Sequence, residues 1–250
     1  MFNRAAPLIA IFGLATSVSG FGTPALALDH SSLGQMLFGP RTGAPAIARY
    51  QVDAGESFVL DAVPGKPAFL KFEDSPEIWA LHATSGPRGD IIYKNDMDQP
   101  VVRATRLGGV TLFTPEQPDG MPAAFLGQGA APRMDFDITP EVLFHIFAQA
   151  STRASRMAQH LVMFEAPDAT ASPQMFADAA IITSQAFIRV GSRGKEGRML
   201  VARFSKVEFN TGKGPNAFTM GEVVRVIIAP DQGVAGRPSS ERIASVLARK

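Results

Sequence analysis

Four histidines, His30, His82, His145 and His160, are the only imidazoles among the 250 residues, so they bound the options for acid–base chemistry near neutral pH. Glu141 and His145 stand four apart, a separation that places two side chains on one helix face. There they would share a proton or one edge of a metal site. A hydrolase-type centre made of Glu141 and His145, joined by His82 where the fold brings it close, is one functional reading. An ordinary polar helix face in water is the other. Neither the HExxH pattern of zinc hydrolases nor a Gly-x-Ser-x-Gly nucleophile elbow is present. The absence of cysteine removes thiolate metal sites, cysteine nucleophiles, disulfides and a lipid-modified cysteine.

Other short motifs point to turns. Gly191-Ser192-Arg193-Gly194-Lys195-Glu196-Gly197 resembles a phosphate loop only in composition, since it lacks the Walker spacing and the Ser/Thr after lysine. A bare turn after a helix is expected there. Asp96-Met97-Asp98 and Asp135-Phe136-Asp137 lack the glycine and distant glutamate of a calcium loop, and read as acids capping their own turns. No metal and no cofactor is expected. Trp79, the single tryptophan, is assigned to core packing or to one wall of a cleft.

Charge supplies a second functional reading. Residues 28–138 hold 9 bases and 14 acids, and residues 139–250 hold 14 bases and 9 acids. Arg189, Arg193, Lys195, Arg198, Arg203 and Lys206 stand against Glu196 alone, a cluster able to attract an anionic partner. It would equally serve as a solvated face, or meet the acidic half of its own chain. A nucleic-acid partner is not expected, because the formal net charge of the whole chain is only +1.

The elements that must hold these residues change period along the chain. Short apolar runs at Ser57–Leu60, Ala68–Phe72, Ile78–His82, Asp90–Tyr93, Val101–Ala104 and Val110–Phe113 recur about every 11 residues with Gly, Pro, Asn and Asp between them. Such spacing is the mark of an antiparallel sandwich or barrel, and connections this short forbid parallel pairing. The Gly/Pro-rich passage Pro115–Pro132 is expected to be a link. Thr139-Pro140-Glu141 then offers an N-cap, a proline at the first helical position and an acid in the first turn, predicting an amphipathic helix to about His160. Ser172-Pro173 starts a second, ending at Gly191. Alternation from Met199 to Phe209 predicts a long strand, forming a hairpin with Phe218–Ala229. Ser239 is expected to cap a short last helix through Leu247.

The first 27 residues have the build of a cleavable export signal. Arg4 precedes the apolar run Ala5–Val18, which is short of the roughly 20 residues needed to span a bilayer, and Ala25-Leu26-Ala27 supplies a small-x-small cleavage site. Residues 28–49 are then a loosely ordered mature N-terminus, and residues 50–250 a single domain without a transmembrane helix (50–114 a β-meander, 139–250 helices plus hairpin).

The segments Ser57–Asp61, Ser75–Leu81, Pro87–Asp96 and Arg103–Gly109 resemble an uncharacterised family of exported alphaproteobacterial proteins, classed as a domain of unknown function. The resemblance carries no catalytic residue, and implies export into a Gram-negative envelope and hence a periplasmic site. Arg88, Asp90, Lys94, Asp96, Arg103 and Arg106 in these segments read as a binding rim or as salt bridges that stabilise turns. The sequence thus specifies an α+β fold: a barrel- or sandwich-like antiparallel meander, two amphipathic helices, a C-terminal hairpin and a short terminal helix. Its function reads as a non-catalytic binding or interaction module of the envelope, with an anionic component or a periplasmic protein as partner, or alternatively as the Glu/His hydrolase above.

Overall fold

A computed structural model describes residues 46–53, 55–133, 138–167, 169 and 172–249. The predicted export signal, most of the expected N-terminal segment and the Asp135-Phe136-Asp137 turn lie outside these residues. Eight strands form an antiparallel meander: β1 (Ile47–Val52), β2 (Ser57–Asp61), β3 (Ala68–Phe72), β4 (Ile78–Ser85), β5 (Ile91–Lys94), β6 (Pro100–Ala104), β7 (Val110–Thr114) and β8 (Gln117–Gln128). Pairing of β8 with β1, from Ala48 opposite Gln128 to Val52 opposite Ala123, closes it into a barrel. Alternation puts Tyr50, Phe58, Leu60, Leu70, Leu81, Val102 and Leu112 inside, where they fill the lumen, as the narrow bore of eight strands requires.

Two barrel strands fall where the sequence suggested none. β1 occupies the end of the segment expected to be loose. β8 carries Pro118, Gly120, Pro122 and Gly127, residues that ordinarily argue against a strand. Its pairing explains them: up to Pro122 it is bonded only to β7, and beyond Ala123 only to β1. Both prolines therefore sit in a stretch with one free side, where a missing N–H is no loss. Gly120 has φ +86°, and a Cβ there would lie 2.6 Å from Thr111 Cγ2 and 2.7 Å from Phe113 Cε1, so only glycine fits.

The second half is built on two long helices. In α1 (Pro140–Ala158) the Thr139 hydroxyl accepts from the Val142 N–H, and a stripe of small residues, Ala150, Ala154 and Ala158, is buried. In α2 (Pro173–Gly191) nearly every side that could face water is covered, as befits a helix flanked by α1, α3 (Gly194–Val201) and α4 (Ser240–Ala248). Gly197 is pressed onto the Val190 carbonyl, leaving no room for a side chain. These helices pack on a four-stranded sheet of order β11–β12–β10–β9, formed by β9 (Met163–Glu165), β10 (Lys206–Thr211), β11 (Asn216–Met220) and β12 (Val223–Ile228). Ser239 caps α4 by accepting from the Arg242 N–H, as expected.

The alternation over Met199–Phe209 misleads, because positions four apart satisfy a strand and a helix alike. Met199 is exposed while Val201 is fully buried, a difference no single strand face would show, and the segment opens as α3. The turn expected at Gly191–Gly197 is likewise largely helical. A C-terminal hairpin is present, but Met220 pairs with Val223 across Gly221-Glu222, so β11 and β12 are its arms; β10 runs parallel to β12.

Barrel and helical layer meet at a buried guanidinium. Arg237 is 2% exposed at its side chain. It bonds Asp178 of α2, donates to the Ile78 carbonyl at 2.8 Å, and lies 3.5 Å from Glu77, which is 1% exposed and precedes β4. Burial opposes its charge, yet Asp178 and Glu77 hold the guanidinium proton more tightly than usual. Glu77 also accepts the Ser240 N–H at 2.9 Å, and Asp96 accepts from the Ser239 N–H and hydroxyl at 3.0 and 2.6 Å. Two barrel carboxylates thus complement the N-terminus of α4. Asp96 does not cap its own turn, as the sequence suggested; that role falls to Asn95, whose side-chain oxygen accepts from Met97 and Gln99. Arg237→Ala should cost about 3–5 kcal/mol, since two buried carboxylates would lose their counter-ion. Arg237→Lys should restore only part, because an ammonium lacks the planar fork. Urea unfolding measures both, and an unchanged midpoint for Arg237→Ala would show that the two layers do not depend on this residue.

Candidate functional site

An up-and-down barrel sends alternate turns to opposite ends. The β1–β2, β3–β4, β5–β6 and β7–β8 turns share the end that faces the helices. Between that mouth, the C-terminal end of α2 and one side of α4 lies a cavity of about 1140 Å³. Phe72, Trp79, Phe113 and Met121 give it an apolar floor, with Trp79 edge-on to Phe72 at 6.2 Å between ring centroids. Trp79 therefore fills both roles suggested for it, packing in the barrel core and walling a cleft.

The charged lining is segregated. Glu56, Asp74 and Glu116 come from three barrel turns; Arg189 and Arg193 face them from the end of α2, with Glu241 on α4. Arg189 lies 3.7 Å from Glu241, a long pair, and Glu241 also accepts from the Asn95 amide at 2.8 Å. Glu56, Asp74, Glu116 and Arg193 have no ion-pair partner among the described residues. Burial first, then repulsion from Asp74 and Glu116, pushes the Glu56 carboxyl above its ordinary range. Burial likewise raises Glu241, with Arg189 and the Asn95 hydrogen bond pulling the other way.

The residues singled out in the sequence are scattered. Arg189 and Arg193 line the cavity. Lys195 and Arg198 are exposed on α3. Arg203 donates to the Leu247 and Arg249 carbonyls at 3.2 and 2.5 Å, tying down the end of α4, and Lys206 bridges Glu165 and Glu208 at 2.7 and 2.8 Å. His82 is on the outside of β4, 3.1 Å from Asp98, which also accepts from Lys94. Glu141 and His145 are exposed on the first turns of α1, and a hydrogen bond from its own backbone N–H, then one from the Thr139 side chain, holds Glu141 below the usual carboxylate range. None of His82, Glu141 and His145 lines the cavity. Among the described residues no three His, Asp or Glu side chains form a group able to hold a metal, and no helix is long and apolar enough to cross a membrane.

The family described as Domain of unknown function (DUF4908) matches residues 33–247. The chain belongs to that family. The match takes in every described element of the DUF4908 chain up to the last turn of α4, barrel and helical layer together. No curated protein and no solved structure matches it.

The acids of the mouth were not singled out in the sequence because they stand in turns 18 and more residues apart. An acid in every second turn was the available signal, readable once the strands are counted. Glu56→Gln should stabilise this DUF4908 protein at pH 7. A raised carboxyl penalises the ionised folded state, so the advantage shrinks as pH falls through the folded value and vanishes below about 4.3, where the unfolded group is also protonated. Urea midpoints of the two proteins at pH 7 and near pH 4 measure this, and an equal gap at both values would refute the assignment.

Proposed function

We infer that this is an exported, non-catalytic binding module of the periplasm, holding a small ligand in the cavity between the barrel mouth and the helices. The observation that carries the reading is the lining of that cavity. An aromatic floor lies between unpaired carboxylates on one side and arginines on the other, and unpaired charge beside apolar surface is stabilised by a ligand that complements both. The ligand that fits has an apolar body, a cationic group for Glu56, Asp74 and Glu116, and an anionic group for Arg189 and Arg193. The volume slightly exceeds the roughly 300–1,000 Å³ of ordinary small-molecule sites, enough for several linked groups. Export is supported by the leader-like build of residues 1–27.

Trp79 is the chain's sole tryptophan and forms a cavity wall, so its fluorescence reports occupancy directly. Titration with the dialysable fraction of an envelope extract should shift the emission saturably, with Arg193→Gln and Glu116→Gln each weakening the response about five- to tenfold. No shift, or a shift untouched by both substitutions, would end the cavity reading. Export has its own check: the intact mass of the chain from its native cell should correspond to a polypeptide beginning at Leu28, and retention of residues 1–27 would contradict it.

A further inference from the structure

The opposite end of the barrel carries the other sign of charge. Its turns are β2–β3 with Lys66, β4–β5 with Arg88 and β6–β7 with Arg106. All three side chains are exposed, and none has an ion-pair partner among the described residues. Among the described residues, the acids nearby are Asp90, already held by the Arg103 guanidinium with Nε at 2.7 Å, and Asp61 at the end of β2. Arg106 lies against Gly89, where a Cβ would come within 2.8 Å of its Cδ, so Arg88 and Arg106 sit on touching turns. Arg88 has φ +59°, a backbone region where glycine is easier to accommodate. The charge is therefore carried at a site where the backbone alone would favour losing it.

The same end also presents apolar surface to water. Leu107, at the tip of the β6–β7 turn and next to Arg106, is 99% exposed. Phe125 and Leu126, in the last third of β8 as it runs toward this end, are 55% and 49% exposed. Cations at the same end as a projecting leucine are the combination that binds at a lipid interface, the bases meeting anionic headgroups while the apolar tip enters the acyl boundary. The cavity and this surface therefore lie at opposite ends of one barrel.

We propose that Lys66, Arg88 and Arg106, with Leu107 projecting beside Arg106, dock the barrel on an anionic membrane surface. The test is co-sedimentation of the chain, as the cell leaves it, with vesicles of phosphatidylglycerol and phosphatidylcholine against vesicles of phosphatidylcholine alone. Binding is expected to the anionic vesicles only, and to be lost near about 0.5 M salt, where screening reaches within a few ångströms. Each cation replaced by glutamine should cost about fivefold in affinity, and K66Q/R88Q/R106Q together roughly a hundredfold. Leu107→Ser should cost about tenfold at unchanged charge. The charge-matched control K195Q/R198Q/K213Q, on exposed residues of the helical layer, should leave binding intact. No binding to anionic vesicles, binding indifferent to lipid charge and salt, or equal loss in the control triple would overturn the proposal. Trp79 fluorescence verifies that each variant is folded, and because none of these residues lines the cavity, the outcome is independent of ligand binding there.

Discussion

A single guanidinium is buried against two carboxylates that come from opposite layers of the molecule. Arg237 would be costly to bury alone, as would Glu77 or Asp178. Together with the Ile78 carbonyl and the first N–H groups of α4 they form a cluster in which each member supplies what another lacks. The barrel and the helical layer have separate hydrophobic cores. What orients them is this polar contact, reinforced by Asp96 on Ser239 and Arg242. The cavity at the barrel mouth exists because that contact sets α4 and the end of α2 against the turns at a fixed distance.

Much of the architecture was legible in the residues. Runs every 11 residues predicted the meander, and Thr139-Pro140, Ser172-Pro173 and Ser239 marked helix starts that the structure places within a residue. The misreadings have physical causes. β8 looked like a linker because prolines were judged without knowing that only one of its sides is bonded there. The stretch after Met199 looked like a strand because a two-residue alternation and a four-residue helical repeat coincide on the same positions. The hairpin was mispaired because β12 inserts beside β10, displacing β11 to the sheet edge.

The site was harder to see, for a reason specific to barrels. Dividing the chain into an acidic first half and a basic second half led toward Arg189–Lys206, of which Arg203 and Lys206 are held by neighbours and only Arg189 and Arg193 line the cavity. The charge is sorted by turn parity instead. Glu56, Asp74 and Glu116 occupy turns at one end; Lys66, Arg88 and Arg106 occupy the turns in between, at the other. Linear windows average these alternating signs toward zero. A meander separates them by the length of its strands, so a chain with balanced charge acquires a polarised body.

The separation between Glu77 and Arg237, 160 positions along the backbone, also constrains the order of assembly. Neighbouring hairpins of the barrel can zip locally, but two acids destined for the interior stay uncompensated until residue 237 has been synthesised and delivered to them. A nascent or clipped polypeptide stopping short of that arginine would hold a half-built interior with stranded negative charge. The two layers can therefore lock together only after the loop between β12 and α4 has delivered its arginine.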